Sequence, residues 1–142
     1  MIVPDVNLLL YSVITAFPQH ENAHAWWEEA LNSTMEIGLS SPAVFGFVRI
    51  ATNPRVFTPP LTVEETTTYI STWLQQPNVR FLTPGPRHLE IAFDLLKGVG
   101  TGSNLTTDAQ LAALAIEHNA EMYSTDTDFA RFSGVRWINP LA

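Results

Sequence analysis

The chain has 142 residues, 46% of them apolar, no cysteine and a net charge of −7. That length buries the core of one domain and leaves little for a second, so a single domain over residues 1–142 is expected. Disulfides, thiol nucleophiles and thiolate metal sites are excluded, as is a broad basic surface that holds nucleic acid by counterion release. No apolar run approaches the roughly 20 residues that cross a bilayer, and the N-terminus lacks a basic stretch followed by an apolar signal core. A cytoplasmic protein without membrane contact is the expectation. An acidic chain can still meet a nucleic acid locally, through divalent cations that invert the charge of a carboxylate cluster.

Ile2-Val3 reads as a short buried strand, with Asp5 at its carboxyl end and Leu8 to Tyr11 as the first turns of an apolar helix. In an open α/β sheet, ligands bind beyond the carboxyl ends of the strands, which places this acid for chemistry. An aspartate there is equally a favoured helix N-cap. Pro18 to Leu31 reads as a second helix, and His20-Glu21-Asn22-Ala23-His24 inside it matches the H-E-x-x-H pattern of zinc peptidases. Against that function stand Pro18, which puts His20 in the first turn, the polar neighbours of the run, and the want of a third ligand downstream. Trp26 and Trp27 read as packing residues.

Glu36 to Ser41 is the next strand, leading to a helix from Pro42 to about Ala51 that Ser41 could cap. This helix is almost wholly apolar, with Arg49 its only charge, so burial against the sheet or a partner subunit is expected and Arg49 needs a partner. After a Pro-rich loop, Thr62 can cap a helix from Val63 to Leu74. Val79 to Leu82 is a strand, and Arg87 to Lys97 a helix ending at Gly98 and Gly100. Thr107 with Gln110 has capping-box spacing, which would put Asp108 at the first residue of an Ala-rich helix. Glu121 to Ser124 is another strand, Thr125-Asp126-Thr127-Asp128-Phe129 the turn at its end, and the chain closes through a last strand near Ile138. Strands alternating with helices imply an α/β fold, a parallel-rich sheet of four to five strands flanked by helices.

Asp5, Asp108 and Asp126 thus fall at strand ends or helix starts that a parallel sheet brings to one edge. Each alone is a cap or turn residue; together they are better explained as a site for Mg²⁺ or Mn²⁺, hard cations that take carboxylate oxygens. Asp128 is a possible further ligand, and Asn7 and Thr125 could orient ligands or water from behind. Metal-assisted phosphodiester hydrolysis is the reaction class that uses such a cluster. A phosphoaspartate receiver also gathers acids at strand ends, but it needs a lysine late in the chain, and the only one is Lys97.

With those residues assembled, the chain resembles the PIN-domain ribonucleases, and among them the VapC toxins of bacterial toxin–antitoxin pairs. The resemblance lies in Asp5-Val6-Asn7-Leu8-Leu9-Leu10-Tyr11, the helix from Thr106-Thr107-Asp108 to Ala115, and the turn Ser124-Thr125-Asp126-Thr127-Asp128-Phe129. Gly46 to Arg55 and Trp137 to Leu141 extend it over nearly the whole chain. It implies a Mg²⁺-dependent endoribonuclease acting on transfer or ribosomal RNA, a homodimer, neutralised by a VapB-type antitoxin. Arg49 and Arg131 are the cations nearest the expected site and the candidates for RNA contact. One departure stands out. The family commonly carries a further acid in the helix that here runs Pro42 to Ala51, yet no acid occurs between Glu36 and Glu64, and Gly46 or Phe45 stands near its place. The alternative function is therefore a PIN-fold binding module, weak or dead in catalysis, that keeps the antitoxin partner.

Overall fold

A computed structural model describes residues 1–142. Five strands, β1 (Ile2–Pro4), β2 (Ile37–Ser40), β3 (Val79–Leu82), β4 (Glu121–Tyr123) and β5 (Trp137–Ile138), form one sheet in the order β3-β2-β1-β4-β5, every pair parallel. Six helices cover it: α1 (Val6–Val13), α2 (His20–Leu31), α3 (Ser41–Ala51), α4 (Val63–Leu74), α5 (His88–Val99) and α6 (Leu105–Glu117). β1 and β2 are buried at every position, as strands covered on both faces must be, whereas β3 at one margin is exposed at Arg80 and Phe81.

The chain starts in the middle of the sheet, builds outward through β2 and β3, and then returns to the other side of β1 with β4 and β5. The reversal falls between β1 and β4, and a crevice at the carboxyl ends of those two strands is where such a sheet binds its ligand. Pro4 ends β1 because it has no N–H to give; the ladder to β4 resumes one residue on, where Asp5 N–H donates to Tyr123 O at 2.9 Å. Asp5 is thereby tied to the neighbour that carries Asp126.

Ala109, Ala112, Ala113 and Ala115 of α6 are all essentially inaccessible, so the small residues let this helix seat closely on the core. Trp27 and Trp73 meet edge to face at 5.5 Å and fill the space between α2 and α4, the packing expected of the first of them. Thr62 caps α4, and Glu65 completes a capping box with it.

Two expected helix starts move. Ser40, not Ser41, caps α3, its Oγ accepting Ala43 N–H at 3.2 Å, because Pro42 then falls in the first turn where its missing donor is harmless. α6 begins at Leu105, three residues before the expected start; Leu105 is buried and anchors the turn, so Thr107 lies inside the helix and Asp108 closes its first turn. α3 buries Ala43, Val44, Gly46, Phe47 and Ala51 but leaves Phe45 and Arg49 exposed, and Arg49 has neither the ion pair nor the hydrogen bond expected of it.

Candidate metal centre at the sheet edge

Asp5 is the N-cap of α1 as well as the residue past β1, so the two expectations for it hold together. Its Oδ1 accepts Val6 N–H at 2.7 Å and its Oδ2 accepts the Ser124 hydroxyl at 2.7 Å. Only 5% of Asp5 is exposed. Burial pushes its pKa above the ordinary carboxylate range and the Asp126 charge adds to that, while the hydrogen bonds from Ser124 and Val6 oppose the rise.

Asp126 caps the 3-10 turn Thr127–Arg131, accepting Asp128 N–H at 2.9 Å. Asp108 reaches the same place from the head of α6. Asp108, Asp126 and Asp128 each bring a carboxylate oxygen within 4.8 Å of the others, which makes a trio able to share a cation. Asp5 is outside that trio but close enough for its charge to act on Asp108. The Asp108 pKa is pushed up to about 7, first by burial and then by Asp5, Asp126 and Asp128 in turn. Carboxylates held this close repel, and a hard cation with oxygen preference is the group that relieves them. The donor set is all carboxylate, with no nitrogen or sulfur, which fits a divalent cation of the magnesium or manganese kind better than zinc.

Ser124 is the residue that the sequence reasoning passed over. It is wholly buried, and its Oγ donates to Asp5 while accepting from Asp126 N–H at 2.9 Å and from Asn7 Nδ2 at 3.3 Å. One hydroxyl therefore joins both strand-end acids. Its own carbonyl is held by the Trp137 indole N–H at 2.9 Å. The available signal was a serine two residues before a turn aspartate, whose side chain can bond that residue's N–H in an ST-turn. Asn7 and Thr125, named as supporting residues, are indeed in contact: Asn7 Nδ2 donates to Thr125 Oγ1 at 3.0 Å. This leaves Asn7 Oδ1 buried and without a partner.

Of the candidate cations, Arg131 is drawn to the cluster, 3.8 Å from Asp128 with both side chains about half exposed. Arg49 lies on α3 without a partner. The missing helix acid has a steric counterpart, since a Cβ on Gly46 would sit 2.9 Å from Val6 Cγ2. Val6 fills the space into which a side chain at 46 would have to start.

The H-E-x-x-H run makes no metal centre of three ligands. His20 Nδ1 bonds Tyr11 O at 2.8 Å and His24 Nδ1 bonds Ser12 O at 3.1 Å. Those carbonyls belong to the last turn of α1, which have no partner inside that helix. The two histidines thus bond carbonyls at the C-terminal end of α1, and Glu21 faces solvent.

Fold and site together define a class: a doubly wound parallel α/β domain with a cluster of carboxylates at the strand-order reversal. Residues 2–135 match the PIN domain family. The chain is 58% identical to Ribonuclease VapC33 of Mycobacterium tuberculosis over 141 residues, 99% of each chain, and 42% identical to Ribonuclease VapC37 of the same organism over 142 residues, 100% and 99% of the two. Among solved structures, VapBC-1 from nontypeable Haemophilus influenzae superposes with a TM-score of 0.71 over the whole of both chains at 18% identity. The chain belongs to the PIN-domain family and, within it, to the VapC proteins.

Proposed function

We propose that this chain is the endoribonuclease toxin of a VapBC-type toxin–antitoxin pair, hydrolysing RNA phosphodiester bonds at a Mg²⁺ or Mn²⁺ site held by Asp108, Asp126 and Asp128 with Asp5. The observation that carries the reading is the convergence of these four acids, with the Asp108 pKa raised to about 7 by burial and by its three neighbours. When bound, a divalent cation there supplies a water of lowered pKa and neutralises charge that builds on the phosphate.

The protein's share is positional. Ser124 holds Asp5 and the Asp126 backbone in fixed relation, which limits how far these two acids move on receiving the ion. Asn7, its amide nitrogen engaged by Ser124 and Thr125, keeps the head of α1 against the turn that carries Asp126. Arg131 and Arg49 supply the positive charge for the RNA backbone, locally, on a chain that is otherwise acidic. Transfer or ribosomal RNA is the substrate class and the cytoplasm the place of action; no helix is long and apolar enough to cross a membrane.

The relatives' names and the VapBC structure among its neighbours support a VapB-type antitoxin as partner. A homodimer has a candidate surface in the exposed Phe81 of the marginal strand β3 and Leu89 and Phe93 of α5.

The test is cleavage of total bacterial RNA by the purified, antitoxin-free protein, with Mg²⁺, with Mn²⁺ and with chelator, beside Asp108→Asn. Metal-dependent cutting that the variant loses supports the nuclease. No cutting by the folded protein turns the reading to the inactive binding module, for which Gly46 packed on Val6 in place of the helix acid is the structural reason.

A further inference from the structure

Alongside the carboxylate edge runs a groove of about 690 Å³ between α3 and α6, closed at one end by Pro84 and His88 where β3 leads into α5. It adjoins the site on two sides. Thr107 in its wall precedes Asp108, and Gly46 packs on Val6, the neighbour of Asp5. On a chain with a net charge of −7, no carboxylate lines this groove.

Three features of the lining are unspent. Phe45 is 67% exposed. Arg49, one turn further along the same face, has no ion pair. His88 also lines the groove, and its imidazole has no hydrogen-bond partner. An exposed aromatic face, a free guanidinium and an unsatisfied ring nitrogen are the three contacts by which proteins hold an unpaired nucleotide: stacking, phosphate pairing and a hydrogen bond to the base edge. The volume is in the range of small-ligand sites, about 300 to 1,000 Å³.

Resting on the ribonuclease reading, we propose that the α3–α6 groove is a nucleotide subsite for single-stranded RNA, with a base stacked on Phe45, the adjoining phosphate on Arg49, and His88 at the base edge. The acid-free lining beside a cluster of acids gives the polyanion a path to them that no carboxylate lines. Sequence preference near the cut is set here, by the base that His88 and Gln110 accept.

The experiment is binding of a fluorescein-labelled single-stranded RNA of about eight nucleotides, followed by anisotropy in chelator so that nothing is cut. Phe45→Leu keeps apolar bulk but removes the π-face, and Phe45→Tyr keeps the face. Both positions are exposed, so these variants and Arg49→Gln fold as the parent does, which circular dichroism verifies. Affinity is expected to fall roughly ten-fold in Phe45→Leu and to stay within a factor of about two in Phe45→Tyr. Arg49→Gln is expected to weaken binding and to lower the salt dependence by about one phosphate contact.

If the parent cuts RNA and all three variants bind as it does, the subsite is wrong and the nuclease stands. Unchanged RNA affinity with a changed sedimentation mass, or with lost antitoxin binding, would make the groove a protein interface and overturn the proposal. A parent that neither binds nor cuts removes the nuclease reading and the subsite with it.

Discussion

Two parts of this molecule look like metal sites in the sequence, and they reverse their promise on folding. His20-Glu21-Asn22-Ala23-His24 is a complete local motif on one helix, yet both imidazoles are engaged in closing the end of α1. The acids, by contrast, are scattered from position 5 to position 128 with no single local motif, yet three of them converge within 4.8 Å, and the charge of the fourth acts on Asp108. A contiguous pattern specifies only which residues share a helix face. What turns side chains into a site is the topology beneath them, here a sheet whose order reverses between β1 and β4.

The contrast breaks first at Asp108. Asp108→Asn should lower RNA cleavage by more than the roughly hundred-fold that loss of a supporting group brings, while circular dichroism stays as in the parent; retained cutting would sink the assignment. Ser124→Ala comes next. Asp5 loses its hydroxyl donor and Asp126 the acceptor of its N–H, so Mn²⁺ affinity by calorimetry should fall about 10- to 100-fold with the fold intact.

Acidity sharpens the picture further. With the folded Asp108 pKa at about 7 against an ordinary 3.8, the folded state keeps a proton that the unfolded state has lost between those values. The contribution of this group to metal-free stability therefore declines as pH rises from about 4 to about 7. The side chain is half-buried and solvent screens it, so a melting-temperature difference of a few degrees relative to Asp108→Asn is expected across that window. Added Mg²⁺ should remove the difference, and Mg²⁺ affinity itself should climb through pH 7. His24→Ala has the smallest effect: loss of one bond to Ser12 O, about 1 kcal/mol in urea unfolding, with cleavage unchanged. A loss of activity in His24→Ala would reopen the zinc hypothesis.

The architecture could be read in advance because parallel strands buried on both faces spell continuous apolar runs, as Ile2-Val3 and Ile37 to Leu39 do. The strand-end acids followed from the same rule. Helix starts were harder. At Ser40-Ser41 two adjacent capping residues compete, and the position of Pro42 in the first turn decides between them; at α6 the anchoring of Leu105 outweighs a capping-box spacing three residues on. Ser124 escaped notice because its bonds to Asp5 and Asn7 are tertiary, and only its bond to the Asp126 N–H is local. Its three side-chain partners come from two ends of the chain, and nothing local distinguishes it from any serine before a turn.

The bond from Ser124 to Asp5 joins residues 119 apart in sequence. Asp5 therefore has no hydroxyl partner until the strand that carries Ser124 lies against β1. A chain stopped or clipped anywhere before Ser124 has no assembled edge.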